Sequence, residues 1–396
     1  MSAVLATRLP AAQGIYLVAL QALFLLTWVV YVIYLPELAG RLGWPAEWVP
    51  RLLLLDQVLF AVADIVLGLH ADRILPRFRR FAPFVLTLNL IACLAFIALP
   101  WLTTAGAGLF LATTALWLVT SAVLRAPLYG LIAQRLAPAS AGRGQAALLL
   151  GMGLASAAGP YLGLTLKGID PAWVFTLSGT ALALITLAFS HLTPTAPAAP
   201  AGGLPNPAAL RRLILAMGLL GLGFQFHVFV NATPLYKTVA AATDLPWLLP
   251  VFWIGFSLAL YPGARWSARR GPETTLRSAA LLGTGASLAC LLPLPLPALI
   301  GIQALAGVAW GLAFLAALDL AGRAGHSGRE ALYIGLLFAS LALAAAARIT
   351  YAALGLQAEL PHTLALAAAC WMLGALLAWH SPPRSPAPLP FSRSPA

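Results

Sequence analysis

Apolar runs of roughly 20 residues, the length of helix that crosses a bilayer, recur along the whole chain with only short polar breaks. They fall near 14–36, 48–70, 81–103, 106–133, 144–166 and 172–192. After an irregular stretch they resume near 211–235, 246–264, 275–297, 298–321, 330–355 and 362–380. This spacing predicts an all-α membrane protein with twelve transmembrane helices in two sets of six. The first run is too long for a signal-peptide core and lacks a small-residue cleavage site, so it is expected to stay as the first helix. The motif LLPLPLP leaves almost no polar loop between the ninth and tenth runs and is read as a proline-rich hairpin at the membrane surface.

Composition excludes the main alternative. Apolar residues make up 61% of the chain and charged residues 9%, with a mean hydropathy of +0.91. Soluble domains carry about 25% charged residues, and a water-exposed fold this apolar would be covered in sticky patches. The net charge of +12 is dispersed over short loops instead of gathered on a polar face, which argues against a nucleic-acid partner. Cys93, Cys290 and Cys370 lie far apart inside apolar runs, with neither metal-ligand spacing nor a disulfide framework, and no cofactor or metal is expected.

The basic residues assign a side. With the N-terminus inside, the inner loops receive Arg8, Arg73, Arg77, Arg79, Arg80, Arg135, Arg143, Arg211 and Arg212. The second set adds Arg265, Arg269, Arg270, Arg277, Arg323, Arg329, Arg384 and Arg393. The outside receives only Arg41, Arg51, Lys167 and Lys237, so both termini are placed in the cytoplasm. Trp44, Trp48, Trp101, Trp173 and Trp247 then fall at outer helix ends, where interfacial tryptophans belong. The expected domains are residues 1–192 and 211–380, two pseudo-symmetric six-helix bundles. Residues 193–210, rich in Pro, Ala and Gly, form a cytoplasmic linker, and 381–396 a disordered tail.

Between the second and third runs stands DIVLGLHADRILPRFRR, Asp64 to Arg80, read as an apolar helix passing Gly68 into an acidic-basic turn at Asp72, Arg73 and Arg77. A weaker echo, GARWSARRGPETTLR at 263–277, occupies the matching place in the second set, with Ser267 where Asp72 stands. Internal repeats of this kind are a property of secondary transporters. The first stretch resembles the inter-helix motif of the major facilitator superfamily in Gly68, Asp72 and Arg73. It departs from the family at Leu75, where a second glycine is usual, and at Pro76, which displaces the next arginine to Arg77. The resemblance implies a conformational latch, in which Asp72 engages the end of the eleventh helix in the outward-facing state. A bland reading, that the arginines only set topology, stands beside it.

The fifth run carries GMGLASAAGPYLG, with Gly151, Ala155, Gly159 and Gly163 four apart and Pro160 among them. Small residues in that register let helix backbones approach closely in lipid, and the proline bends the helix. The pattern also resembles the fifth-helix signature of the twelve-helix drug/proton antiporters, with Leu164 where the family has its last glycine.

Charges inside membrane runs are costly and mark function. Asp64 and Arg125 lie at similar depth and are expected to pair, as a static strut or as a proton-sensitive contact. Asp56 lies deeper, with Arg348 the one basic candidate across the interface; a buried carboxylate without a base favours its protonated form, as a proton carrier requires. The superfamily resemblance implies that helices 1, 4, 7 and 10 line a central cavity. Their polar and aromatic residues are Gln21, Trp28 and Tyr31; Thr114, Trp117, Ser121 and Arg125; His227 and Asn231; and Gln303 and Trp310. Taken together they describe a site for an amphipathic or weakly anionic organic molecule, while each singly reads equally as a helix-helix hydrogen bond or core packing. The leading function is proton-coupled efflux of a small organic molecule by a monomer in the bacterial inner membrane. A metabolite importer or uniporter is the alternative, and a non-transporting sensor or scaffold is a second. No nucleophile motif or catalytic carboxylate pair points to an enzyme.

Overall fold

In a computed structural model, residues 10–136, 138–191, 207–325, 328–356 and 359–379 are described. Arg8, most of the 193–210 linker and the 381–396 tail lie outside them. All regular structure among the described residues is helical. Among the described residues ten helices are long and apolar enough to cross a membrane, and a shorter apolar one spans Pro171–Leu187.

The first set begins with α1 (Ala11–Arg41), α2 (Trp48–Ile74) and α3 (Phe78–Leu102). The fourth run does not form one continuous helix. It divides into α4 (Ala107–Ser121), a tight turn at Ala122–Leu124, and α5 (Ala126–Arg135). Pro127 explains the division, because it has no N–H to donate back and its ring obstructs the preceding turn. Arg125, at φ −103° and ψ −114°, takes up the change of direction. Then follow α6 (Pro138–Thr165) and α7 (Pro171–Leu187).

In the second set α8 (Pro207–Phe226) starts inside the predicted linker, because Pro207 is well suited to a first helical turn. The seventh run continues through a π-helical turn at His227–Asn231 into α9 (Ala232–Lys237). Next come α10 (Leu245–Leu248), α11 (Pro250–Arg270) and α12 (Pro272–Ala289). The ninth run is shorter than predicted, since Pro293 and Pro295 stop the helix at Ala289. Last are α13 (Leu296–Ala324), α14 (Glu330–Ala353) and α15 (Leu360–Trp379).

The two sets meet mainly along two seams, α2 against α14 and α6 against α11, and α5 also packs on α14. Glycines set how close these helices come. A Cβ on Gly68 would stand 2.6 Å from the Ala331 carbonyl oxygen, and one on Gly130 would stand 2.5 Å from the Ala331 side chain. Outward-facing side chains such as Leu94, Leu177 and Leu258 are about 70% exposed, a surface suited to hydrocarbon and not to water. Trp101, Trp173 and Trp247 are exposed at helix ends, and Trp44 stacks on Trp48 at 5.1 Å.

The small-residue row on α6 is only partly a seam. Gly151 packs against the α1 backbone at Val18 and Ala155 is buried, but Gly159 has only Val29 at ordinary contact distance and Gly163 faces open space. The reason is geometric. Four residues advance 400° around a helix, so an every-fourth-residue row drifts about 40° per step and leaves its neighbour after two turns. Gly153, unmarked in the sequence reading, instead makes the close approach to Ser257 and Phe256 on α11.

Candidate functional site

Three carboxylates are buried along α2: Asp56, Asp64 and Asp72. They are spaced eight apart, two helical turns plus roughly 80° of rotation, so each meets a different neighbour.

Asp64, fully buried, meets the break in the fourth run. The Arg125 Nε donates to its two oxygens at 3.0 and 3.1 Å, and Nη2 donates at 2.8 Å. The interrupted helix also frees the Ala126 backbone N–H, which faces the same carboxylate. Arg125 in turn lies over the Phe60 ring at 4.6 Å and the Phe338 ring of α14 at 5.0 Å. A charge pair this buried is tolerable only because geometry and further hydrogen bonds offset its desolvation.

Asp72 meets the start of α14. Its two oxygens accept the Ala331 and Leu332 backbone N–H groups, each at 2.9 Å. Those are donors a helix leaves unsatisfied in its first turn, and the helix dipole favours an anion there. Asp72 and Arg73 are on the last turn of α2, not in a loop as the sequence reading had them, because no breaker precedes Pro76. Arg73 and Arg77 are exposed.

Asp56 has no such partner. The Tyr31 hydroxyl is the polar group set against its carboxylate, and among the described residues no basic side chain pairs with it. Arg348, the one basic candidate, does not come to Asp56. It turns instead toward α8, with Nε at 3.4 Å from Gln225 Oε1 and the guanidinium over Phe229.

The remaining predicted lining residues divide into two groups. Tyr31 packs on Trp117 at 4.9 Å, and Trp117 on Phe96 of α3 at 5.1 Å. Thr114 and Ser121 donate to backbone carbonyls of their own helix, at Phe110 and Leu118. Gln21 is buried beside Gly151, and the buried Trp28 indole N–H has no acceptor among the described residues. In the second set His227 Nε2 and Gln303 Oε1 are 2.9 Å apart, and Asn231 donates to the Thr363 carbonyl on α15. Trp310 stacks on Phe224 at 4.5 Å, nearly parallel. No aromatic, hydrogen-bond or ionic contact joins the two groups among the described residues. Among the described residues these side chains thus make their contacts in two groups, one on the helices of each set. Among the described residues no group of His, Cys, Asp and Glu is arranged to hold a metal.

A family model described as Major Facilitator Superfamily matches residues 17–347. The chain belongs to the major facilitator superfamily. Its members are membrane transporters, and that is the class in which this fold places the chain. A search of curated protein sequences finds no match. Among solved structures the chain is similar to the human organic anion transporter MFSD10 (TETRAN), with a TM-score of 0.72 and 18% identity over 93% of this chain and 100% of that one. It is also similar to the E. coli fucose:proton symporter FucP, with a TM-score of 0.68 and 14% identity over 94% and 99%. A bacterial homologue of the iron transporter ferroportin, solved in an outward-facing state, matches with a TM-score of 0.70 and 12% identity over 92% and 98%. At these identities the likeness is one of fold.

The superfamily motif could be found in the sequence through Gly68, Asp72 and Arg73. Gly335 could not. A Cβ there would collide with the Asp64 carbonyl, so Gly335 fixes how closely α14 rests on α2, yet it sits alone in an apolar run with no pattern to mark it.

Proposed function

We propose that this chain is a proton-coupled exporter of a small amphipathic organic molecule, working by alternating access in the bacterial inner membrane. In this reading residues 1–192 and 211–380 are two six-helix halves joined by 193–210. They rock about the α2–α14 and α6–α11 seams in a monomer with both termini in the cytoplasm. Asp72 on the first turn of α14 acts as the breakable latch of the cytoplasmic side.

The observation that carries the reading is the unequal pairing of the α2 carboxylates. Asp64 is held by a guanidinium and Asp72 by a helix terminus, whereas Asp56 faces only a phenol. A carboxyl group with no base beside it can exchange a proton without first breaking an ion pair, and a charge at that depth otherwise has no support. The static Asp64–Arg125 pair favours a second reading, a metabolite importer or uniporter in which no carboxylate titrates during transport.

Proteoliposomes with an imposed pH gradient, screened with amphipathic cations and weak organic acids, test the proposal. It requires a compound whose movement is driven by the gradient and whose drive is lost in Asp56→Asn. Gradient-independent movement would support the second reading. A non-transporting sensor would move nothing, and would tolerate loss of Asp56, Asp64 and Arg125.

A further inference from the structure

A cavity of about 200 Å³ lies between α6, α11 and α13 at their arginine-bearing ends. Its walls are mostly small or apolar, including Gly142, Ala264 and Leu315. Three of its polar residues matter. Ser267 and Gln145 are 5% and 2% exposed, and Ser267 Oγ and Gln145 Oε1 have no hydrogen-bond partner among the described residues. Arg323 uses Nε and Nη2 on Asp319 at 2.6 and 2.7 Å, which leaves Nη1 for another acceptor.

The position of Ser267 in the internal repeat gives this cavity its meaning. Gly68 and Asp72 are four apart on α2, and Gly263 and Ser267 are four apart on α11. Gly68 packs across the seam on the Ala331 backbone, whereas Gly263 packs within its own set on the Leu312 side chain. In the first copy the position four residues on carries a carboxylate that binds across the seam to α14. In the second copy that position carries a short hydroxyl, at the seam with α6, and there is empty space beside it. The second copy therefore has no carboxylate at that place. The charged residues of the cavity wall are Asp319 and Arg323, paired with each other, and the flanking helix ends are rich in arginine in the sequence, with Arg143 on α6 and Arg265, Arg269 and Arg270 on α11.

We propose that this cavity binds the acidic head, a carboxylate or sulfonate, of a small organic anion. Ser267 Oγ and the free edge of Arg323 donate to it, and the ligand stands where the first repeat has Asp72. Only its place at the cytoplasmic mouth of a transport path rests on the exporter reading; the anion site itself does not.

The test reads binding without transport. In a chain with Cys93, Cys290 and Cys370 replaced by Ala, Ser267→Cys is labelled in inside-out vesicles with sulfonatoethyl or trimethylammonioethyl methanethiosulfonate. Gly142→Cys is a second position, where an added Cβ meets nothing closer than 4.0 Å. Thr274→Cys, exposed on the same side at the start of α12, reports the general surface potential. The anionic reagent is expected to react about ten-fold faster than the cationic one in the cavity, beyond any preference at Thr274→Cys, as focused charge in a cleft produces. Millimolar benzenesulfonate should slow cavity labelling while benzyltrimethylammonium does not, and Arg323→Gln should remove the preference. Equal rates, a preference no greater than at Thr274→Cys, or no cavity labelling at all overturns the proposal. Because no flux is measured, a chain that fails to transport protons or exports nothing leaves this result intact.

Discussion

The Arg125 guanidinium holds the buried Asp64 carboxylate through both Nε and Nη2, at 2.8 to 3.1 Å, from the residue where the fourth helix breaks. Removing either partner strands the other charge in a low-dielectric interior. Asp64→Ala or Arg125→Ala should each cost about 3–5 kcal/mol. The double variant Asp64→Leu/Arg125→Leu should cost clearly less than the sum of the two. Thermal unfolding of the detergent-purified variants, analysed as a double-mutant cycle, measures this; simple additivity would mean that the pair does not act as a unit.

Asp72→Asn retains the shape of the side chain but loses the charge that accepts the Ala331 and Leu332 N–H groups. Hydrogen bonds to a charged group contribute about 1.5–3 kcal/mol, so the contact of α2 with the start of α14 should weaken by that order. A cysteine pair at Ala133 and Gly322, whose positions meet across α5 and α13, reports the contact of these two helices. Its oxidation to a disulfide should be fast in the parent and slower with Asp72→Asn. Unchanged oxidation would show that the latch contact does not govern how these two helices meet.

A seam glycine and one outside the seams should separate sharply under the same substitution. Gly335→Ala forces the added methyl into the Asp64 backbone and should destabilise by about 1–3 kcal/mol. Gly163→Ala points into open space on a helix and should be neutral or stabilising by up to about 1 kcal/mol. Melting temperatures of the two variants, side by side, decide the matter.

Gln303→Leu leaves the buried His227 ring nitrogen without its partner. The cost should be about 1–3 kcal/mol, the penalty for an unsatisfied buried polar group. Gln303→Glu should cost less, because a carboxyl oxygen can occupy the place of Oε1. Chemical denaturation in detergent, read as the shift in midpoint at constant slope, tests both.

The helical class and most helix positions could be read from apolar run length alone, since the bilayer fixes that length. The Asp64–Arg125 contact was legible because two charges at equal depth in apolar runs have few other ways to be satisfied. What the sequence withheld is rotational. Each polar or aromatic residue on helices 1, 4, 7 and 10 could face the centre or a sister helix, and composition does not distinguish the two. Asn231 turns to Thr363 and Trp310 to Phe224 because their own bundle supplies acceptors and rings nearby. The α6 row failed for a related reason, an angular drift of 40° per step that letters spaced four apart conceal. Arg348 was only a candidate for Asp56 because α14 touches both sets, and its neighbour is Gln225.

The interruption of the fourth helix has a mechanical result. With no continuous backbone ladder between α4 and α5, torque applied at one end is not transmitted rigidly to the other. Arg125 is the pivot, and its grip on Asp64 fastens that pivot to α2. The short α5 segment, lying on α14 through Tyr129 and Phe338 at 5.2 Å, thereby takes its direction from α14, while α4 keeps its bearing on Tyr31.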